Sequence, residues 1–121
     1  VTGVQTCALP ICWVREENVF PIEVAIQMLT AHTAEVMGIS DRGRLAIGMP
    51  ADVVILDPST VGDGPLQRVY DLPAGADRLI SQASGITKVL VNGIVIRDQG
   101  ENVLNTKDKL PGRLLRHGAA S

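Results

Sequence analysis

The chain carries two thiols and two imidazoles, Cys7, Cys12, His32 and His117. Cys7 and Cys12 form a C-x4-C pair, the spacing of a disulfide or of half a metal site. Tetrahedral zinc needs further nitrogen or sulfur ligands, and no second cysteine pair or nearby histidine supplies them. His32 lies between two helical patterns, where a ring nitrogen can satisfy free backbone groups, and no carboxylate or second histidine stands at ligand spacing beside it. His117 falls in the carboxy-terminal tail. Ser40, Ser59, Ser81 and Ser84 have no nucleophile-elbow glycines around them, and GRLAIG is not a phosphate-binding pattern. The segment RVYDLPAGADRL gathers Arg68, Asp71, Asp77 and Arg78 around a Pro/Gly bend. Bidentate contacts to a carboxylate-bearing partner are one reading. Internal ion pairs that fix an extended loop are the preferred one, because surface ion pairs by themselves reveal little. The residues therefore form no self-sufficient active site: no catalytic, cofactor-binding or metal-ligating residue is assigned.

The elements that would position chemistry are easier to read. PIEVAIQMLTA places Ile22, Ala25, Ile26 and Leu29 on one helical face, with Pro21 suited to the first helical position and Glu23 to the first turn. TAEVM reads as a second short helix ending on Gly38, with Ile39 folding back in a Schellman ending. Turns at Asp41–Gly43 and Gly48–Pro50 leave Arg44–Ile47 as a short strand or extended link. Val53–Leu56 is a continuous apolar run, the pattern of a strand covered on both faces. TKVLVNGIVIRDQG predicts a hairpin, Thr87–Val91 and Ile94–Arg97, around a type I′ Asn92-Gly93 turn. That turn opposes Val91 to Ile94, Leu90 to Val95, Val89 to Ile96 and Lys88 to Arg97, and makes Val89, Val91, Ile94 and Ile96 a wholly apolar face. Between Pro58 and Gly85 the glycines and prolines predict mostly irregular chain, long enough to have a function or to pack on something larger.

The 121 residues allow one domain with a modest core. A net charge of −2 with interspersed charges argues against nucleic acid and membrane-surface partners. Trp13, Phe20 and Tyr70 are the only aromatics, so the core must be aliphatic. No apolar run approaches the ~20 residues of a membrane span, and the expectation is a soluble, cytoplasmic chain.

Two blocks carry a family resemblance. LTAHTAEVMGISDRGRLAIGMPADVVILDP resembles the carboxy-terminal signature of the amidohydrolase superfamily through Thr30, Ala34, Gly38, Gly43, Leu45, Gly48, Ala51, Asp52 and Asp57. KVLVNGIVIRDQG is similar to the second signature of that superfamily, a V-x-V-N-G hairpin followed by Gly100. WVRE, DRGRL, RVYDLPAGADRL and LPGRLLR most resemble the N-acyl-D-amino-acid deacylase (D-aminoacylase) branch. The resemblance implies an α+β chain: the last helices of a (β/α)8 metal-dependent hydrolase barrel, followed by the carboxy-terminal strands of a small composite β-sandwich. Residues 13–40 then belong to the barrel, 41–104 to the sandwich with its long loop 58–86, and 105–121 to a tail.

Such enzymes hydrolyse the non-peptide amide bond of N-acyl-D-amino acids with a zinc-bound water and a barrel-end Asp. The resemblance places those ligands ahead of Trp13, so the chain is expected to be an inactive carboxy-terminal fragment. Its partners would be the amino-terminal barrel and sandwich strands of the same protein. The alternatives are another amidohydrolase, dihydroorotase- or hydantoinase-like, or a stand-alone β-sandwich binding module. Residues 1–11, VTGVQTCALPI, resemble the in-frame translation of a sequencing adapter. On that reading residues 1–12 are a non-native leader and the two cysteines carry no redox information.

Overall fold

The computed structural model describes residues 9–105 and 107–115. The described residues form an α+β arrangement of a π-wound segment, a helical run, a short 3-10 turn and three antiparallel sheets. Among the described residues a π-wound segment, Leu9–Glu16, comes first. Pro21 precedes the first helical residue, and its carbonyl accepts from the amides of Val24 and Ala25 at 3.1 and 3.3 Å. Helix α1 (Ile22–Gln27) runs through a π-wound stretch, Met28–His32, into α2 (Thr33–Val36).

Two separate helices were expected; the chain instead forms one continuous run, because His32 and Thr33 keep helical angles. Threonines stitch the widened turn: Thr30 donates to the Ile26 carbonyl and Thr33 to that of Met28, five residues back, both at 2.7 Å. The apolar stripe is only partly covered. Ala25 is fully buried and Ile22 and Ile26 are half-buried, but Leu29 is exposed. The end of the run is the expected Schellman motif, with Gly38 at φ 67°, Gly38 N–H on the Glu35 carbonyl at 3.0 Å and Ile39 N–H on that of Ala34 at 2.8 Å.

The largest sheet has the order β1-β6-β7-β8, where β1 is Val53–Leu56, β6 Ile86–Val91, β7 Ile94–Asp98 and β8 Glu101–Asn102. Near the Asn92-Gly93 turn the register is the expected one, Val91 against Ile94 and Leu90 against Val95. Beyond it the expected pairs are corrected: Val89 faces Arg97 and Lys88 faces Asp98, because Ile96 is an extra, bulged residue on β7. The bulge replaces the like-charged Lys88/Arg97 pair with an ion pair, Lys88 Nζ to Asp98 Oδ2 at 2.8 Å. It also breaks the apolar face expected from strict alternation, and Ile94 is 49% exposed. Gln99 and Gly100, at φ 49° and 86°, turn the chain into β8, a strand not foreseen. Arg97 braces this turn with two bonds to the Gly100 carbonyl, at 3.0 and 2.7 Å.

β1 forms where expected but is not covered on both faces. It is an edge strand paired only with β6, and Val54 and Ile55 are about half exposed. The described residues supply one neighbour and no covering layer for it.

Residues 58–86 are also corrected, from irregular chain to a doubled-back ribbon. β2 (Gly62–Asp63) pairs with β5 (Ala83–Ser84), and β3 (Gln67–Val69) with β4 (Arg78–Ile80). Gly64 allows the two legs to meet: its amide donates to the Gln82 carbonyl at 2.7 Å, and a Cβ there would fall 2.7 Å from the same oxygen.

The buried apolar side chains among the described residues are Ala25, Ala34 and Val61, none of them large, and of these Ala25 alone is fully enclosed. Among the described residues large apolar side chains stay exposed: Val24, Met28, Leu29, Val36 and Met37 on and at the end of the helical run, and Leu45 and Ile47 on the link. No described helix is long and apolar enough to cross a membrane.

Candidate functional site

The residues at which the two sequence blocks meet form a connected site of ion pairs and hydrogen bonds. Arg42 lies in the link after the Schellman ending, its side chain only 9% exposed. Its Nη1 donates to the Asp41 carboxylate at 2.8 Å and to the Asp41 carbonyl at 3.1 Å. Its Nε lies 2.6 Å from Asp52 Oδ2, an ion pair at contact distance whose N–H is not aimed at the oxygen. The other Asp52 oxygen accepts the Asn92 amide at 2.7 Å, and the Gly93 amide donates to the Ala51 carbonyl at 2.9 Å. Asn92, whose positive φ makes the hairpin turn, then reaches with Nδ2 to the Pro111 carbonyl at 2.6 Å.

The Ala-Asp step before β1, the Asn-Gly turn and the tail are thereby held as one junction. Gly43 joins the helical run to it. At φ 85° it sits so close to the helix that a Cβ would lie 2.8 Å from the Thr30 carbonyl oxygen and 2.9 Å from Ala34 Cβ. Beside the junction is an open groove of about 370 Å³, bordered by Glu35, Ile39, Arg42, Arg44 and Met49.

This arrangement holds chain segments together; it presents no nucleophile with an adjacent base. One guanidinium is shared by two carboxylates, and the polar backbone groups of the turn are already bonded. His32 is exposed on the unbroken helix, away from any helix junction, with no bonding partner among the described residues. Ser59 donates to Asp57 Oδ1 at 2.6 Å, and with the Ser59 amide this bond holds the Asp57 carboxyl below its ordinary pKa. Ser81 is bonded to the Gly64 carbonyl, and Ser84 to those of Thr60 and Gly62. Cys7 and His117 lie outside the described residues, as does the side chain of Cys12.

The cluster at the ribbon tip is paired internally. Arg68 bonds Asp77, and Arg78 makes a bidentate contact with Asp71 at 2.8 and 2.6 Å. That contact lowers the Asp71 pKa, chiefly through the Arg78 hydrogen bond, and raises that of Arg78. Both arginines are paired within the ribbon, as the internal reading expects. For the zinc implied by the resemblance, the described residues offer no cluster of three or more His, Cys, Asp or Glu side chains that could hold a metal. The donor set does not fit.

Sequence reasoning treated Asp52 and Asn92 as family markers and turn formers, and did not foresee that they touch. The signal present was that both lie beside tight turns with free amides. Arg42 stands in the Asp41–Gly43 turn and in the DRGRL string, neither of which encodes its contact with Asp52.

Comparison with known proteins bears on the same segments. No solved structure matches the chain significantly. It is 39% identical over 108 residues to an N-acyl-D-glutamate deacylase of Alcaligenes xylosoxydans xylosoxydans, covering 89% of this chain and 19% of that protein. It is 36% identical over 81 residues to a D-aminoacylase of the same organism, covering 67% and 15%. An N-acyl-D-aspartate deacylase, also from that organism, is 35% identical over 107 residues, covering 88% and 19%. The chain thus spans less than a fifth of the length of these curated relatives. Residues 5–97 match the amidohydrolase family, a stretch that takes in the helical run, the Arg42–Asp52–Asn92 junction and the Asn-Gly hairpin, and the chain belongs to that family.

Proposed function

We propose that the chain is the carboxy-terminal supporting part of a metal-dependent amidohydrolase that cleaves the non-peptide amide bond of N-acyl-D-amino acids. The observation that carries this reading is the likeness to three deacylases of N-acyl-D-amino acids over most of the chain, in a stretch built as a structural junction. Its helical run would close a (β/α)8 barrel and its sheet would complete a composite β-sandwich.

The apolar side chains left exposed support a larger partner surface. The helical run presents Val24, Met28, Val36 and Met37, and the open β1 edge offers unpaired backbone groups. The metal chemistry of such an enzyme would be supplied by residues outside this stretch, whose own donor set does not fit zinc. What this chain's residues do is hold: Gly43 sets the helix against the link, and Arg42, Asp52 and Asn92 fix the link to the sheet. Alone the chain would be inactive, and its setting would be the cytoplasm.

The test is release of free D-glutamate from N-acetyl-D-glutamate in the presence of zinc. The product of the complete reading frame should turn over and the 121-residue chain should not. Turnover by the chain alone would refute the supporting role, and an inert complete product would refute the substrate class.

A further inference from the structure

The β3–β4 ribbon has two unlike faces. Alternation along the strands puts Val69 and Ile80, both half-buried, on one side with the Asp71–Arg78 pair. The other side carries Leu66, Arg68 and Tyr70 along one leg, with Leu79 directly opposite Arg68 and Asp77 bonded to it from the returning leg. Leu66 and Tyr70 are each 69% exposed and Leu79 56%. Among the described elements β3 and β4 pack chiefly on each other and make no extensive contact with a third. An aromatic ring and aliphatic side chains around an arginine are the composition found at the centres of protein interfaces.

We propose that this face is a self-association surface whose partner is a second copy of the same chain. The charges argue for a copy. The positive group stands on one leg of the ribbon and the negative group on the other. A twofold axis parallel to the strands lays β3 of one copy over β4 of the other. Arg68 then comes beside Asp77 of the second copy, and Asp77 beside Arg68 of the second copy, with Tyr70 and Leu79 between them. A twofold contact must be self-complementary in this way, and a face of a single sign would repel its own copy. The proposal does not depend on the amidohydrolase reading.

The test uses two variants of the chain, Arg68→Asp and Asp77→Arg, with molar mass followed by light scattering as a function of concentration. The parent chain should associate. Each variant alone carries one sign on the face and should associate at least about tenfold more weakly, because like charges would then be juxtaposed. Mixed in equal amounts, the two should regain association as a heterodimer. Mixing cannot repair the internal Arg68–Asp77 pair, so recovery isolates the contact between copies. Leu79→Ser, which keeps both charges, should also weaken association, and circular dichroism checks that each variant is folded. A monomeric parent, variants that associate as strongly as the parent, or a mixture that stays unassociated would each overturn the proposal. The last two outcomes would assign any residual association to the β1 edge or the helical face.

Discussion

Gly43 and Gly48 share a positive φ, 85° and 86°, and differ in what surrounds them, so alanine at each separates backbone strain from close packing. Placing an alanine in the left-handed region costs about 1–2 kcal/mol at either position. At Gly48 nothing lies within 4 Å of the added Cβ, and the cost ends there. At Gly43 the Cβ would meet Thr30 O at 2.8 Å, Ala34 Cβ at 2.9 Å and Ala31 Cα at 3.0 Å. These atoms belong to the helical run, so they can move only by shifting the helix, which adds about 1–3 kcal/mol of overpacking. Gly43→Ala should therefore unfold about 1–3 kcal/mol more easily than Gly48→Ala, a further fall in Tm of at least about 4 °C. Thermal melts followed by far-ultraviolet circular dichroism measure both. If the two variants melt together, the helical run does not rest on the link, and the junction described here is wrong at its first contact.

Three other predictions test separate elements. Lys88→Glu should destabilise the sheet by about 0.2–1 kcal/mol, because the bulged register sets residue 88 against Asp98; an unbulged register, with Arg97 opposite, would give the opposite sign in a urea melt. Asn92→Asp retains a residue that tolerates the turn but loses the Nδ2 donor to Pro111, at a cost of about 1 kcal/mol. Limited proteolysis should then cut the segment after β8 faster, and an unchanged rate would deny the tail its anchor. Asp71 has a lowered pKa in the fold because Arg78 bonds it, so the contribution of that pair is present above the ordinary carboxylate pKa and is lost as pH falls through the lowered value. Amide exchange at the Leu72–Ala76 turn should speed up, beyond its intrinsic pH dependence, only on that acid side, and Asp71→Asn should remove the effect; the same profile in the variant would contradict it.

The elements legible in the sequence are those written by local chemistry. Gly38 can take a positive φ and Ile39 can fold back, so the helix end is a short-range fact. The Asn92-Gly93 turn likewise determines the two nearest cross-strand pairs. Its influence fades two residues out, where the choice between Lys88 facing Arg97 and Lys88 facing Asp98 is made by charge and twist rather than by the turn. The ribbon was missed for a related reason: its pairs join residues such as Gly62 and Ser84 across an intervening loop, and its strands are too short and mixed to show a period. The continuous helix depends on threonines that return bonds to carbonyls four and five residues back, which apolar spacing does not encode.

The junction was half legible. Asp52 and Asn92 stood out singly as family markers, but their contact joins residues 40 apart and needs the β1–β6 pairing first. The internal pairing of Arg68, Asp71, Asp77 and Arg78 could be preferred beforehand, because a Pro/Gly bend brings such side chains together in any compact loop.

The central claim is that these residues support an amidohydrolase and do not themselves catalyse. The measurement that tests it most directly is release of D-glutamate from N-acetyl-D-glutamate by the purified 121-residue chain with zinc, beside the product of the complete reading frame. The account predicts turnover by the complete product, abolished by a chelator, and none by the chain. Turnover by the chain alone would contradict it.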